Sequence, residues 1–334
     1  MDFSFDTDHV EMAGAVRELL TRDFPAEALR SSAGDRSARR KIWDQLAGQG
    51  LHATLVPEAR GGLELGWEAA VLCLTELGRA AVPGPFIDSV AVAPALLASA
   101  PGDAAADLLT RLAEGATTVG VAEHGGLVAC AEDVEVVLVI RGEQITALSV
   151  GPGSFIPVPT LDESMPLSRL SGGEELFTVE VTPGDVRFAR ASGALAASAQ
   201  LIGATRRIID MTVGYVAQRE QFGRTIGSFQ AVQHALVDAA LKQTFAEPVV
   251  HAAAWAMGDG DYEAPVSHAK IAASDAAHLA SRTGFQLHGA IGYTYEYDLH
   301  LWLKRAKTLT GLYGTPSHHR ARLREHVLSL AEAS

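Results

Sequence analysis

The chain has 334 residues, of which 48% are apolar and 20% charged, a composition typical of a globular protein. Its 27 lysines and arginines against 40 acidic residues give a net charge of −13, which disfavours binding to nucleic acid. Two cysteines, Cys73 and Cys130, exclude a disulfide framework and a multi-cysteine zinc site. No secretory signal opens the chain, and its most apolar stretch, 90–100, is too short to span a bilayer. We therefore expect a cytoplasmic protein that binds neither nucleic acid nor membrane.

Apolar residues recur at helical spacing through the first third of the chain. The spacing predicts helices over Asp8–Arg22, Ala38–Gly48 and Gly66–Arg79. A loop, Val56–Gly62, separates the second and third helices because a proline and paired glycines break a helix there. Residues 1–116 are therefore predicted to form an N-terminal helical domain.

The middle of the chain changes to short segments typical of strands. Val134–Ile140 is rich in β-branched residues, and Ile145–Val150 follows after a glycine turn, so the two predict a hairpin. Leu176–Val181 alternates as a strand, whereas Gly151–Gly173 is rich in glycine, proline and serine. We expect residues 117–188 to form a small β-domain of about 70 residues, near the lower limit for independent stability, that leans on the neighbouring helices.

The helical period then returns and continues to the end of the chain. The predicted helices are Ala191–Val216, Phe229–Met257, Val266–Leu287, Asp298–Gly311 and Pro316–Ala333. The second of them is expected to be interrupted or kinked at Pro248. Short links between these helices favour an antiparallel bundle over residues 189–334. The predicted fold class is α+β and mostly α, with helical, small β and helical domains in that order.

Three loops between helices carry residues that could bind a ligand. In Gln218–Gln230 (QREQFGRTIGSFQ), arginines could hold a phosphate in a bidentate fork, and a phenylalanine could stack on a flat ring or cap the bundle. In Gln286–Thr294 (QLHGAIGYT), glycines permit close approach of a ligand, although a helix C-cap explains one of them. In Leu312–Arg320 (LYGTPSHHR), a helix start could hold an anion or be an ordinary N-cap.

The sequence also argues against other classes of site. His318 and His319 are adjacent and no zinc-ligand spacing occurs, so we expect no metal site. No nucleophile elbow, dinucleotide-binding glycine motif or P-loop is present in the sequence.

Together, three longer stretches resemble the acyl-CoA dehydrogenase family. They are 218–238 (QREQFGRTIGSFQAVQHALVD), 286–307 (QLHGAIGYTYEYDLHLWLKRAK) and 55–80 (LVPEARGGLELGWEAAVLCLTELGRA). The resemblance implies a dimer-based tetramer that binds FAD at a subunit interface and introduces an α,β double bond into an acyl-CoA. In the family, a carboxylate takes the α-proton and the flavin takes the β-hydride. An electron-transfer flavoprotein or a similar acceptor then reoxidises the cofactor.

The resemblance also implies roles for residues of the first loop. Arg219 matches the family arginine that reaches the FAD pyrophosphate of the neighbouring subunit. Phe222 matches the phenylalanine beside it, and Gln221 occupies a neighbouring contact position.

Residues of the other two loops match further parts of the family's cofactor site. Gln286 and Gly289 match the glutamine and first glycine that hold the adenosine half of FAD. Ala290 stands where the family usually has a second glycine. Thr315 matches the threonine of the family's YEGT segment, near the flavin.

The position of the family's commonest base is a departure. Tyr313 stands in the glutamate's place, and a tyrosine with a pKa of about 10 is a poor proton acceptor at neutral pH. Other branches of the family carry the base near a position that falls at about Gly258 here. Glu247 lies eleven residues earlier, about three helical turns, and so shares that face. Its apolar sequence neighbours make Glu247 a candidate base, with a salt-bridged or rim glutamate as the alternative.

The short β-domain is a second departure. The family's flavin-contacting TEPxxGSD segment corresponds here to AEHGG, residues 122–126. Loss of this half of the site resembles the short subunits of heteromeric dehydrogenases that act on steroid side-chain thioesters. The leading hypothesis is therefore an FAD-dependent subunit acting on a bulky or branched acyl-CoA in an α2β2 assembly with a full-length homologue. The alternatives are a non-catalytic subunit that completes the partner's FAD site, and a homo-oligomer acting on a carrier-bound substrate.

Overall fold

The computed structural model shows a chain that packs as two compact units. The residues it describes are 4–32, 34–123 and 126–333. The first unit comprises Met1–Cys73 and Val82–Ala196, and the second comprises Leu74–Ala81 and Ala197–Ser334. The division into three domains stays a prediction.

Helices form the N-terminal part of the first unit. They are α1 (Thr7–Asp23), α2 (Ala26–Ser32), α3 (Arg36–Gly48), α4 (Gly66–Ala80), α5 (Ala93–Leu97) and α6 (Asp103–Ala113), with a π-helix at Ile87–Val92. The part of α4 from Leu74 onward belongs to the second unit. The three predicted helices are confirmed, each within two residues at both ends. Helix α3 begins before Ala38 because the carboxylate of Asp35 accepts hydrogen bonds from the backbone N–H groups of Ser37 and Ala38, at 2.9 and 3.1 Å. The apolar stretch 90–100 is a largely buried part of this core.

Two small sheets complete the first unit. Their strands are β1 (Val119–Ala122), β2 (Leu127–Ala129), β3 (Val136–Arg141), β4 (Gln144–Ser149), β5 (Phe155–Val158), β6 (Leu167–Leu170) and β7 (Glu174–Glu180). One sheet has the order β1-β3-β4-β7, with β1 parallel to β3, and the other has the order β2-β6-β5. The predicted β3–β4 hairpin is confirmed, and its turn contains Gly142 with a φ of 67°.

The β-part of this unit is anchored to its helices by a buried ion pair. Arg39 of α3 is 8% exposed and donates to both carboxylate oxygens of Asp133, at 2.7 and 2.9 Å. Removing one partner of such a pair leaves an uncompensated charge in the interior, so the contact fixes where the small β-region packs. The expectation that the β-region leans on the helices agrees with this contact.

Five helices and a short hairpin form most of the second unit. The helices are α7 (Pro183–Gln218), α8 (Gln230–Asp259), α9 (Glu263–His288), α10 (Leu299–Gly311) and α11 (Pro316–Ala333). The part of α7 up to Ala196 belongs to the first unit. Helix α9 packs against α8, α10 and α11, and buried alanines such as Ala246, Ala269 and Ala273 allow close approach. Strands β8 (Glu220–Gln221) and β9 (Arg224–Thr225) form the hairpin between α7 and α8. The α+β, mostly α class predicted from the sequence is confirmed.

Two details of these helices differ from the prediction. Helix α7 begins at Pro183 rather than Ala191, because Thr182 and Asp185 form a reciprocal cap at its start. The Thr182 N–H donates to the Asp185 carboxylate at 2.8 Å, and the Asp185 N–H donates to the Thr182 hydroxyl at 3.2 Å. Helix α8 is continuous through Pro248, so the predicted interruption there is wrong, since the packing of α8 on α9 outweighs one lost hydrogen bond. The predicted kink at Pro248 stays a prediction. No helix in the described part of the chain is long and apolar enough to cross a membrane.

Candidate functional site

The loop between α7 and α8 forms a tight hairpin that projects an aromatic ring outward. Gln221 pairs with Arg224 across a two-residue turn of Phe222 and Gly223, which have φ values of 54° and 74°. Positive φ at both central residues is the signature of a type I′ turn. Phe222 is 92% exposed, so it does not cap the bundle within this chain. A strained, exposed phenylalanine is well placed to pack against another molecule.

The rest of the hairpin is held by its own contacts. The Arg219 N–H donates to the carbonyl of Tyr215 at 2.9 Å, which extends α7 by one residue, and the Arg219 carbonyl accepts from Ile226 at 2.8 Å. The Arg224 guanidinium lies 4.0 Å from the ring centroid of Phe229. The side chains of Arg219 and Gln221 remain exposed, so an anionic ligand can reach the guanidinium.

The C-terminal end of α9 lies beside the last turn of α7. His288 stacks on Tyr215 with ring centroids 4.3 Å apart, and its Nδ1 lies 2.7 Å from the Gly284 carbonyl. Gly289 then ends the helix at φ 60°, ψ −136°, a conformation that favours glycine. A side-chain carbon at Gly289 would meet no atom within 4 Å, so the backbone there faces open space. Gln286 and Ala290 are also exposed.

The structure therefore brings two of the three predicted loops together. Tyr215 links them, because its carbonyl accepts a hydrogen bond from the Arg219 N–H, just before the hairpin, and its ring stacks on His288 next to Gly289. Thr315 lies near the opposite, N-terminal end of α9. Its carbonyl accepts from the His319 N–H, and the His319 ring lies 3.2 Å from the hydroxyl of Ser267, in the first turns of α9. Ser267 and His288 are about 30 Å apart along the helix at 1.5 Å per residue. One copy of this chain cannot place Thr315 and Gly289 against the same small group.

Glu247 lies in a polar cluster rather than in apolar surroundings. Arg206 of α7 donates to one carboxylate oxygen, and the Gln243 amide donates to the other at 3.0 Å. His251 Nε2 lies 3.8 Å from the same carboxylate. Burial lowers the pKa of His251 and the nearby Arg206 charge lowers it further, against the opposing effect of Glu247.

The predicted apolar neighbourhood of Glu247 is thus wrong for a physical reason. Phe245 and Ala246 are neighbours in sequence, but residues one or two positions apart on a helix face different directions. The residues that share the Glu247 face are Gln243 and His251, four positions away on either side. This arrangement favours the salt-bridged alternative, and the role of general base stays a prediction.

The segment 122–126 is only partly covered by the structure. His124 and Gly125 lie outside the described residues, whereas Ala122 ends β1 and is fully buried. Glu123 accepts three hydrogen bonds from Arg190, at 2.9, 3.2 and 3.0 Å.

Two buried side chains contact the turn that leads to Thr315, and neither was predicted from the sequence as a site residue. Lys270 of α9 is fully buried, and His319 of α11 is 1% exposed. The signal for the lysine was available: it occupies a position on α9 among Val266, Ala269 and Ala273, all buried, where an apolar residue is the rule.

Comparison with known proteins agrees with this arrangement. Residues 6–116 match the family model of the acyl-CoA dehydrogenase N-terminal domain, and residues 190–328 match that of the C-terminal domain. Acyl-CoA dehydrogenase IpdE2 of Mycobacterium tuberculosis is 34% identical over 304 residues, which cover 91% of this chain and 92% of the relative.

Solved structures share the fold over nearly the whole chain. The ChsE4–ChsE5 complex from Mycobacterium tuberculosis gives a TM-score of 0.87 at 21% identity, covering 98% of this chain and 99% of that chain. A variant of the Tcur3481–Tcur3483 steroid ACAD gives 0.85 at 24% identity, covering 98% and 99%. The two family models and the long alignment with a curated relative lead to one conclusion. The chain belongs to the acyl-CoA dehydrogenase family, an oxidoreductase family.

Proposed function

We propose that the chain is a subunit of an FAD-dependent acyl-CoA dehydrogenase and that its hairpin completes the FAD site of a neighbouring subunit. The observation that carries this proposal is Phe222, an almost fully exposed ring held at a positive φ next to the exposed Arg219. Within its own chain the ring has an edge contact with Phe229, with centroids 6.3 Å apart, and this contact leaves most of its surface exposed. Packing of the ring against a cofactor and a second subunit would account for the strained conformation.

The residues at this end of the second unit fit the ADP half of FAD. Arg219 supplies a planar guanidinium that can bind a phosphate in a bidentate way. Gly289 exposes its backbone where no side-chain carbon obstructs approach, and Gln286 offers an exposed amide beside it. Gln221 is exposed next to Phe222, although its amide donates to the Glu220 carbonyl at 2.8 Å. These residues would hold the cofactor's pyrophosphate and adenosine.

Thr315 belongs to the other end of the cofactor. Because about 30 Å of α9 separates it from the Arg219 end, one subunit would contact the flavin of one FAD and the ADP half of another. Bound flavin supplies the two-electron redox chemistry of the α,β-desaturation. The residues of this chain bind and orient that cofactor.

A heteromeric assembly is the favoured form of the proposal. The fold neighbours include a two-protein complex, ChsE4–ChsE5, and a steroid ACAD, Tcur3481–Tcur3483. We infer an α2β2 assembly with a full-length homologue, a bulky or branched acyl-CoA substrate, and an electron-transfer flavoprotein or similar acceptor.

A second candidate function is a non-catalytic subunit that completes the partner's FAD site. The observation that favours it is the pairing of Glu247 with Arg206 and Gln243, together with Tyr313 at the position of the family glutamate. Neither side chain is a free carboxylate ready to take an α-proton. In this form of the proposal the partner subunit supplies the base.

The experiment that tests the proposal compares the chain expressed alone with the chain co-expressed with a full-length homologue. Visible absorbance gives the flavin content, and mass in solution gives the assembly. We expect a colourless chain alone and a yellow complex with about one flavin for every two chains. A yellow homo-oligomer with one FAD per chain would overturn the shared site. A complex that forms without flavin would overturn FAD dependence.

A further inference from the structure

A buried lysine fixes the end of α10 from the neighbouring helix α9. Lys270 is fully buried, and its ammonium donates to the carbonyls of Leu309 and Leu312, at 2.6 and 2.7 Å. The last carbonyls of a helix lack partners within the helix, and a cation there is favoured by the helix dipole. Burial lowers the pKa of Lys270 to about 7. The protein thus keeps a side chain that is costly to bury at this helix end.

A buried histidine fixes the next residues of the same turn. His319 Nε2 lies 3.0 Å from the Tyr313 carbonyl, and Nδ1 lies 3.2 Å from the Ser267 hydroxyl. A carbonyl only accepts, so Nε2 carries the proton and Nδ1 accepts from the serine. Burial, and to a lesser degree the charge of Lys270, lower the pKa of His319 to about 4, which keeps the ring neutral.

The turn held in this way has a strained backbone. Tyr313 has a φ of 53° and Gly314 a φ of 100°, and a side-chain carbon at Gly314 would lie 2.7 Å from His319 Nε2. The turn ends at Thr315, whose carbonyl accepts from the His319 N–H and whose hydroxyl accepts from the His318 N–H. Such strain persists only where surrounding contacts determine the conformation.

We propose that Lys270 and His319 are positioning residues for the dehydrogenase reaction, which hold the Leu312–Thr315 turn so that Thr315 meets the bound flavin. The inference rests on the proposed function, because only that function places a flavin at Thr315. Neither residue touches the reacting atoms. Both act through the turn: their donors are directed to its carbonyls and to the end of α10, while the Thr315 side chain remains exposed.

The test uses the full chain in its flavin-loaded assembly and four variants. Lys270→Met keeps the length of the side chain and removes both donors. His319→Leu removes the donor to the Tyr313 carbonyl, whereas His319→Gln retains an N–H that can reach it. Ser274→Ala is the control, since Ser274 is buried one turn farther along α9 and its hydroxyl makes no hydrogen bond in the described part of the chain.

Two measurements are made on each protein. Hydrogen exchange of the backbone amides in 312–319 reports on the turn, and the midpoint potential of the bound flavin reports on the site. We expect Lys270→Met and His319→Leu to speed exchange in this segment about tenfold and to shift the potential. His319→Gln should stay close to the unmodified protein in both measurements, and Ser274→Ala should change neither.

The outcomes separate this inference from the proposed function. Unchanged exchange in the Lys270→Met and His319→Leu proteins overturns the positioning role, and so does faster exchange with an unchanged flavin potential. If Lys270→Met does not fold, the two His319 variants decide, because only a positioning role distinguishes leucine from glutamine in both measurements. An unmodified assembly that binds no flavin overturns the proposed function itself.

Discussion

Two turns of the second unit share a local conformation but differ in what holds it. Each places a non-glycine aromatic residue at positive φ before a glycine: Phe222 at 54° and Gly223 at 74° in the hairpin, Tyr313 at 53° and Gly314 at 100° between α10 and α11. The hairpin turn is closed by two short strands and exposes its ring. The carbonyls of the α10–α11 turn and of the end of α10 accept hydrogen bonds from buried side chains of α9 and α11.

The two turns therefore reach the same backbone conformation by different means. The hairpin turn is fixed by the pairing of its own two strands, whose twist a type I′ turn matches. The α10–α11 turn depends on residues distant in sequence, Lys270 above all. A turn of the first kind is free to present its residues to another molecule, whereas changes to a turn of the second kind should appear as lost stability of the chain itself.

The largest expected effect comes from adding a methyl group to the glycine of each turn. Gly314→Ala should lower the free energy of unfolding by about 3 kcal/mol, because the new carbon would lie 2.7 Å from His319 Nε2 on a strained backbone. Gly223→Ala is the matched control: it meets nothing within 4 Å and should cost about 1 kcal/mol, from the positive φ alone. Chemical denaturation measures both. Equal losses would show that the buried contacts do not restrain the α10–α11 turn.

A smaller loss of stability is expected at Glu247, whose carboxylate, like the α10–α11 turn, is held by contacts within its own chain. Its carboxylate and the Arg206 guanidinium are 22% and 26% exposed, so the pair contributes less than a fully buried one. We expect Glu247→Gln to lower the free energy of unfolding by about 1 kcal/mol and to leave turnover of an acyl-CoA by the assembled enzyme within a few-fold. The matched control is Glu263→Gln, which removes another carboxylate paired with an arginine, Arg322, at 2.7 Å. A loss of activity of about a hundredfold or more in Glu247→Gln alone would restore the general-base role.

Glu247 also shows which features of the structure the sequence can predict and which it cannot. Helical spacing located α8 to within two residues, because apolar periodicity is a property of the sequence. It could not locate Arg206, which lies 41 positions earlier and meets the carboxylate only through the packing of α7 on α8. Long-range pairing of this kind is a property of the tertiary structure alone.

The same limit explains what was missed in the β-region. Strands β1, β2, β5 and β6 have three or four residues each, too few for an alternating pattern to show. They form because partners are available in the two sheets, such as β3 beside β1. The β3–β4 hairpin was predictable because its turn glycine and its β-branched strands are adjacent in the sequence.

The smallest effect on stability, and the sharpest test of the outward-facing turn, is expected at Phe222. Its ring is 92% exposed and alanine keeps the same backbone strain, so Phe222→Ala should change the free energy of unfolding of the chain by less than about 0.5 kcal/mol. In the assembled enzyme it should lower the retained flavin several-fold, because the proposed function has the ring pack on the cofactor of the neighbouring subunit. Phe245→Ala, at an exposed phenylalanine of α8, is the matched control and should leave the flavin in place. A cost of more than about 1 kcal/mol in the isolated chain would mean that the ring is held from within, and the contrast between the two turns would fail.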